Sequence, residues 1–333
     1  MIEWLYKHEM QQTNKQTSEI LVNVGKQIWR LEHSLSSKLQ MFVLDFENMK
    51  WIEVSYKSQI PINVILPIAT NENCILIREP RSTEILKFDI SKLEWISLGS
   101  FEEEKHRLLG FHMFNYHIYT LTNDFSNNNP ILKWQNLETR SSTLIPFPEQ
   151  TELISSSKFF EFRGKLHIYV TRWNHASYIY QLDNNSLSLI HSQTDYCHGT
   201  NPSFWISENV LYQISNVRMY ANMIHARYFD FDTLEWHKME ISKNNHGEYN
   251  TGTFFIDGLI YAFYEDSRGK TCVFIGTVIN KLEIIPLLQI RDNYKDRVKS
   301  GDTKETIAKE IDELKYPEHL KKKIRDSTLW HLQ

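Results

Sequence analysis

A hairpin motif recurs along this chain at nearly constant spacing. In its clearest copies an Asp ends one alternating apolar run and a Trp opens the next run six residues later. These copies are Asp45 with Trp51, Asp89 with Trp95, and Asp230 with Trp236. Weaker copies pair Gln135 with Ser141, Asp183 with Leu189, and Gly276 with Leu282. Successive anchors lie 44, 46, 48, 47 and 46 residues apart, which indicates six repeats.

A second motif keeps the same period. A Gly or Asn precedes a short apolar run at positions 25, 73, 115, 164, 209 and 258, and a further apolar run lies before each of them. Each repeat therefore contains four strand-like runs, here called a, b, c and d. A Gly or Asn before strand b suits a tight turn with positive φ. An Asp at the end of strand c can accept backbone N–H groups of the next turn.

This repeat restricts the fold. One four-stranded sheet cannot bury both of its faces, whereas six sheets arranged around an axis can, with each Trp covering the flank of a neighbouring sheet. The near absence of helical periodicity in residues 20–288 excludes a doubly wound α/β fold. We predict an all-β, six-bladed β-propeller over residues 20–288. Blade six has a d strand of its own at 281–288, so the N-terminal arm, residues 1–19, either closes the ring beside that blade or lies elsewhere.

The b-strand pattern of Gly, apolar residues and Tyr, together with the Asp-to-Trp hairpin, resembles Kelch-type propeller repeats. The resemblance covers residues 20–288. Kelch repeats usually carry a Gly-Gly pair after strand b, and no Gly-Gly occurs in this chain. The chain is therefore either a divergent Kelch-type propeller or a propeller of another family with a similar period.

The resemblance implies that the b–c loops share one face of the ring. Four of the six loops carry Arg near this face, and two of these Arg residues lie beside aromatic residues. Arg grips carboxylates with two parallel hydrogen bonds, and aromatic rings add contact area. We predict that this face binds a protein or peptide with an acidic segment or a C-terminal carboxylate. The predicted contact residues are Arg78, Arg81, Arg172, Trp173, Arg218, Tyr220 and Arg268.

Residues 289–333 are charged and helical in pattern, and form a predicted tail. Asp302 and Glu305 suit a capping box at the start of a helix. The apolar residues predicted to make tail contacts, with the propeller or with a partner, are Ile307, Ile311, Leu314, Leu320 and Ile324. The tail also faintly resembles a SOCS box, a motif that recruits elongin and cullin proteins. That resemblance implies an alternative function as substrate receptor of a cullin-type ubiquitin ligase.

Composition and missing motifs narrow the function further. The net charge is −4, with 37 basic and 41 acidic residues interspersed, so we expect neither nucleic acid nor a membrane as partner. The three Cys are far apart, and no long apolar run indicates a signal peptide or membrane helix, so we expect a cytoplasmic protein, with the nucleus as alternative.

No HExxH, CxxC or phosphate-binding loop occurs in the sequence. We therefore predict no catalytic residues, no metal and no cofactor. The enzyme alternative that stays open is a hydrolase or lyase whose carboxylates, supplied by different blades, converge in the funnel.

Overall fold

The computed structural model describes residues 2–10, 18–33, 39–57, 66–71, 73–78, 84–100, 107–115, 117–124, 129–148, 154–172, 176–183, 185–193, 200–207, 209–217, 223–239, 249–265, 271–278, 297 and 303–313. These residues form six four-stranded antiparallel sheets and a short C-terminal helix. The fold is a six-bladed β-propeller with a helical tail, as the repeat predicts.

In five blades the strands follow one another in chain order. Blade one consists of β2 (Ser18–Val24), β3 (Gln27–His33), β4 (Leu39–Asp45) and β5 (Lys50–Glu53). Blade two consists of β6 (Leu66–Asn71), β7 (Cys74–Arg78), β8 (Glu84–Asp89) and β9 (Glu94–Ser100). Blade three consists of β10 (Arg107–Phe114), β11 (His117–Asp124), β12 (Asn129–Asn136) and β13 (Ser142–Ile145). Blade four consists of β14 (Ile154–Phe162), β15 (Lys165–Arg172), β16 (Ser177–Asp183) and β17 (Ser186–Gln193). Blade five consists of β18 (Thr200–Ser207), β19 (Val210–Val217), β20 (Met223–Asp230) and β21 (Glu235–Met239).

Blade six takes its fourth strand from the other end of the chain. It consists of β22 (Tyr249–Ile256), β23 (Leu259–Glu265), β24 (Thr271–Val278) and β1 (Ile2–Glu9), and β1 pairs with β24. The N–H of Met10 extends this pairing by donating to the carbonyl of Thr271 at 2.9 Å. The N-terminal arm therefore joins blade six, and the d strand expected at 281–288 lies outside the described residues.

The connections between strands differ between the two edges of each blade. The a–b turns are two residues long in all six blades, and the c–d turns of blades one to five have two to five residues. We call this side the a–b edge. The opposite side, the b–c edge, carries b–c loops of four or five residues and d–a connections of six to twelve residues. All the long connections of blades one to five therefore lie on one edge.

The short turns explain the Gly and Asn positions of the repeat. Arg163 with Gly164, and Asp257 with Gly258, have positive φ at both turn positions, the type I′ geometry that suits a two-residue hairpin. The c–d turns use the predicted Asp caps: Asp89 Oδ1, for example, accepts the N–H groups of Ser91 and Lys92. Four residues after each cap, a non-glycine residue adopts positive φ; these are Met49, Leu93, Arg140 and Leu234.

The cap of blade three is Asn136, one residue later than the sequence pattern predicts. Asn136 Oδ1, rather than the side chain of Gln135, accepts the N–H groups of Glu138 and Thr139 at 2.8 and 2.9 Å. The Asn136 N–H also closes the turn by donating to the carbonyl of Ser141. Asn136 therefore occupies the Asp position, which makes the anchor spacing more even than Gln135 would.

The chain divides into two compact units. The first contains residues 1–10 and 239–333, with blade six and the helix, and the second contains residues 11–238, with blades one to five. In the second unit each pair of consecutive blades shares a buried apolar cluster, and the a strands β2, β6, β10 and β14 lie side by side. The a strands therefore form the inner surface of this unit.

Helix α1 (Lys304–Glu313) forms the described part of the tail. The hydroxyl of Thr303 accepts the N–H of Thr306 at 3.3 Å, so Thr303 is the N-cap. The expected cap, Asp302, lies outside the described residues. Within the described part of the chain, we find no helix whose length and apolar character would let it cross a membrane.

Candidate functional site

The b–c edge is the candidate site, because the residues predicted to contact a partner lie there. Arg78 ends β7 and Arg172 ends β15. The other predicted contact residues lie outside the described residues; they are Arg81, Trp173, Arg218, Tyr220 and Arg268. The partner-binding role of all seven stays a prediction.

Arg172 is held inside blade four, with 8% of its surface exposed. Its guanidinium carbon lies 3.8 Å from the centroid of the Tyr178 ring, and Nη2 donates a hydrogen bond to the Tyr180 hydroxyl at 3.2 Å. Its backbone N–H donates to the carbonyl of Ala176 at 2.9 Å, which closes the base of the b–c loop. Arg172 therefore supports the loop from within the sheet, a role that its sequence position did not reveal.

The side-chain hydroxyls of Ser155, Ser156 and Thr171 fasten β14 to β15 at the same edge. Ser155 Oγ donates to the Thr171 carbonyl at 3.0 Å, and the hydroxyls of Ser156 and Thr171 lie 2.7 Å apart. These bonds hold the start of β14 against the end of β15. The first strand of blade four is thus fixed where a d–a connection enters it.

Asn123 joins blades three and four at this edge. Its side-chain Nδ2 donates to the carbonyl of Ile154 at 2.7 Å, and its Oδ1 accepts the N–H of Ile154 at 3.2 Å. The side-chain amide therefore pairs with the Ile154 backbone much as a neighbouring strand would. Because Asn123 is buried, both groups would otherwise lack partners away from water. Ile154 lies 31 residues further along the chain, so sequence spacing does not reveal this contact.

A buried arginine joins blades four and five. Arg227 Nε donates to Gln213 at 2.6 Å, Nη1 donates to Gln193 at 3.0 Å and Nη2 donates to the Tyr169 hydroxyl at 3.0 Å. The guanidinium carbon also lies 3.9 Å from the centroid of the Trp236 ring. The Arg227 guanidinium thus contacts the Tyr169 hydroxyl of blade four, one glutamine amide from each of the two blades, and the Trp236 indole.

Arg227 has only a partial signal in the sequence. It lies three residues before the cap Asp230, where blades one, two and four hold Phe42, Leu86 and Tyr180. Blade three holds Lys133 at this position, so a charged residue there does not by itself indicate a buried polar contact. Its partners, Gln193 above all, are recognisable only in the fold.

Two histidines lie in the same contact between blades four and five. His167 stacks on Phe160 and makes an edge contact with Phe231, with ring centroids 5.2 and 5.6 Å apart. His191 lies 5.1 Å from the Phe229 ring. Burial lowers the pKa of both imidazoles, and the Arg227 charge acts in the same direction on the pKa of His191. Both rings are therefore neutral at pH 7.

A third histidine joins the inner strands of blades three and four. His112 Nε2 lies 3.1 Å from Glu161 Oε1, and its ring stacks parallel to that of Phe159 at 6.0 Å. The pairing brings together residues 49 positions apart in the chain. Within the described ranges, no three His, Cys, Asp or Glu side chains are grouped so that they would hold a metal ion.

The predicted tail contacts are partly described. Ile307 and Ile311 are fully buried, so these side chains pack within the chain rather than face a partner. Leu314, Leu320 and Ile324 lie outside the described residues. Arg297 Nη2 donates to Glu310 Oε1 at 3.0 Å, and this hydrogen bond lowers the pKa of the Glu310 carboxyl.

Fold and site together define a β-propeller in which side-chain hydrogen bonds fasten blades three, four and five to one another. No protein-family model matches the chain, and no curated protein is significantly similar to it.

Proposed function

We propose that this β-propeller is a non-enzymatic interaction module that binds a partner protein or peptide through its b–c edge. The proposal rests on the difference in length between the connections at the two edges. The a–b turns have two residues in every blade, whereas the b–c edge has loops of four or five residues and d–a connections of six to twelve residues. Binding residues are found disproportionately on loops that a rigid scaffold positions. The Kelch-like repeat patterns support placing the chain in this class of propeller.

Hydrogen bonds hold the bases of two of the connections at this edge. Asn123 ties the end of β11 to the start of β14, and Arg172 closes the base of the b–c loop of blade four. A loop mounted on such ends loses less conformational freedom when it binds, because its anchors are already fixed. The Arg residues that these loops carry favour an acidic segment or a C-terminal carboxylate on the partner.

The test is affinity capture by purified full-length protein, with mass spectrometry of the retained proteins. The first variant combines Arg81→Glu, Arg218→Glu and Arg268→Glu at the b–c edge. The matched control combines Lys26→Glu, Lys50→Glu and Lys92→Glu, which makes the same charge change at exposed residues of the a–b edge. We leave Arg172 unchanged because it packs inside the blade.

We expect the first variant to lose the partner and the control to retain it, with similar melting temperatures for both proteins. Retention of the partner by the first variant, or equal loss in both variants, would show that the b–c edge is not the binding surface.

A further inference from the structure

The contact between blades two and three is closed only in its inner part. Its buried apolar cluster lies on the strands nearer the axis and includes no residue of the outer strands β9 and β13; its members are Cys74, Leu76, Ile85, Phe111 and Ile118. The contact between blades one and two extends further outwards, because its buried cluster includes Trp95 of β9. Among the described residues, no buried apolar side chain of an outer strand joins the cluster between blades two and three.

The repeat shows what takes the place of apolar residues there. At the positions two and three residues before the turn cap, the contact between blades one and two has Val43 and Leu86, which pack in its apolar cluster. The same two positions in the contact between blades two and three hold Lys87 and Lys133. Both lysines are half-buried, and within the described part of the chain neither side chain has a hydrogen-bond or ion-pair partner.

Strand alternation places the two lysines on surfaces that face each other. Lys87 lies two residues after Ile85, so it is on the face of blade two that packs against blade three. Lys133 pairs with Thr120, two residues after Ile118, so it is on the face of blade three that packs against blade two. The outer part of this contact therefore has a cation on each side.

Each lysine has an exposed aliphatic residue beside it on the outer strand. Lys87 pairs with Ile96 on β9, and Lys133 pairs with Leu144 on β13. Ile96 is 36% exposed and Leu144 is 59% exposed, so both side chains are available for contact. Both sides thus present an ammonium ion next to an apolar side chain. We call these four residues the outer lysine surface.

Arg140 links the two blades next to this surface. It lies in the c–d turn of blade three, and its Nη1 donates a hydrogen bond to the carbonyl of Leu98 on β9. Its guanidinium lies over Gly99, where a Cβ atom would approach Nη1 to 3.0 Å. The carboxylate on β9, Glu94, lies 4.0 Å from the ammonium of Lys92. Arg140 therefore adds a third cation, and the nearby carboxylate already has a partner.

We propose that the outer lysine surface binds an acidic, partly apolar peptide segment of another protein. Two carboxylates of the segment pair with Lys87 and Lys133, because charge-assisted hydrogen bonds to half-buried cations are strong and weakly screened. Apolar side chains of the segment cover Ile96 and Leu144, which a polyanion without apolar side chains would leave in water. This surface differs from the b–c edge, so it adds a second binding surface to the proposed function.

Fluorescence anisotropy with the full-length protein tests the proposal. The probe is a fluorescein-labelled peptide that alternates glutamate with leucine, and two comparison peptides alternate lysine with leucine and glutamate with glycine. We expect the wild-type protein to bind the probe at least about tenfold more tightly than either comparison peptide, since each of them lacks one of the two contacts. Equal affinity for the probe and either comparison peptide would overturn the proposal.

A matched pair of variants locates the binding surface. Lys87→Glu combined with Lys133→Glu should weaken binding of the probe at least about tenfold, because it opposes both carboxylates with like charges. Lys26→Glu combined with Lys50→Glu makes the same charge change at exposed residues of the a–b edge and should alter the affinity by less than about twofold. An unchanged affinity in the first variant, or an equal loss in both, would overturn the proposal.

Two further variants separate this surface from the b–c edge. Ile96→Ser combined with Leu144→Ser keeps every charge and should weaken binding of the probe by about threefold or more, and an unchanged affinity would contradict the apolar contact. The combined variant Arg81→Glu, Arg218→Glu and Arg268→Glu should bind the probe within about threefold of wild type. Loss of the probe in that variant alone would overturn this proposal and leave the proposed function intact. The wild-type comparison of the three peptides decides the question even where a variant folds poorly.

Discussion

The contact between blades one and two and the contact between blades four and five are built from the same repeat but from different chemistry. The first is apolar: Trp95 and Phe88, with ring centroids 5.0 Å apart, pack with Trp29 and aliphatic residues. The second surrounds the Arg227 guanidinium, the buried His167 and the half-buried His191 with phenylalanine and tryptophan rings.

The difference shows that the repeat specifies the spacing of the blades but not the chemistry of the contacts between them. An apolar contact gains stability from buried area and depends little on pH. A polar contact is stable only while every buried group has its partner, and it responds to protonation. The contact between blades four and five should therefore be the more sensitive of the two to acid and to loss of one partner.

The largest effect should come from the apolar contact. Trp95→Ala removes a buried indole that packs between the two blades, and we expect the free energy of unfolding to fall by ~3–5 kcal/mol. The loss should be the same at pH 7 and pH 5, measured by urea denaturation. Ile96→Ala, at the exposed neighbour, is the control and should cost less than about 1 kcal/mol. A strong pH dependence of the Trp95→Ala loss would contradict this description.

The next largest effect should come from the arginine network. Arg227→Ala leaves Gln213 and the Tyr169 hydroxyl without their donor and removes the cation over Trp236, so we expect a loss of ~2–4 kcal/mol. The double variant Arg227→Met with Gln213→Leu should recover part of this, because it replaces one buried polar pair by apolar groups, although the Tyr169 hydroxyl and the Gln193 amide still lose their donor. Urea denaturation measures both variants. A double variant no more stable than Arg227→Ala would show that the unpaired groups are not the cause.

Acid should weaken the contact between blades four and five. His167 and His191 have lowered pKa values in the folded chain and an ordinary pKa near 6.5 in the unfolded chain. The unfolded chain thus binds more protons below about pH 6.5, so the free energy of unfolding falls as pH decreases from there towards the folded pKa values.

The variant His167→Phe should make that decline shallower. The resulting change in the free energy of unfolding should be smaller than the loss caused by Arg227→Ala. Denaturation curves at several pH values between about 7 and 5 measure the slope, and Trp95→Ala serves as the control with an unchanged slope. An identical slope in His167→Phe and wild type would show that His167 does not contribute to the pH dependence of the free energy of unfolding.

The smallest effect compares one turn position in blades five and one. Leu234 has φ +58° and is 44% exposed, so Leu234→Gly should relieve backbone strain and raise the free energy of unfolding by about 0.5–1 kcal/mol. Met49 has φ +49° but is 3% exposed, so Met49→Gly should lower the free energy of unfolding by about 1–2 kcal/mol through lost burial. Thermal melting separates the two, and changes of the same sign would contradict the explanation.

The sequence was most informative where local chemistry repeats. The Gly at 25, 164 and 258 has positive φ, and Asp45, Asp89 and Asp230 accept the turn N–H groups, as their positions predict. The error at Gln135 arose because Asn136 beside it is also polar, and only the hydrogen bonds distinguish them. Of the candidate site, Arg172 lies at the end of β15, the edge that its sequence position predicts, and its role there stays a prediction. Its burial could not be predicted, because Tyr178 and Tyr180 enclose it only after the strands pair.

By itself the sequence determined the number of blades, the four strands of blades one to five and the turn that opens each b strand, because short-range turn chemistry and a two-residue alternation leave a periodic trace. Only the tertiary structure decided that β1 completes blade six and that Asn123 and Arg227 fasten neighbouring blades. These contacts join residues far apart in the chain, and their free energy depends on burial and partners, which exist only once the sheets have packed.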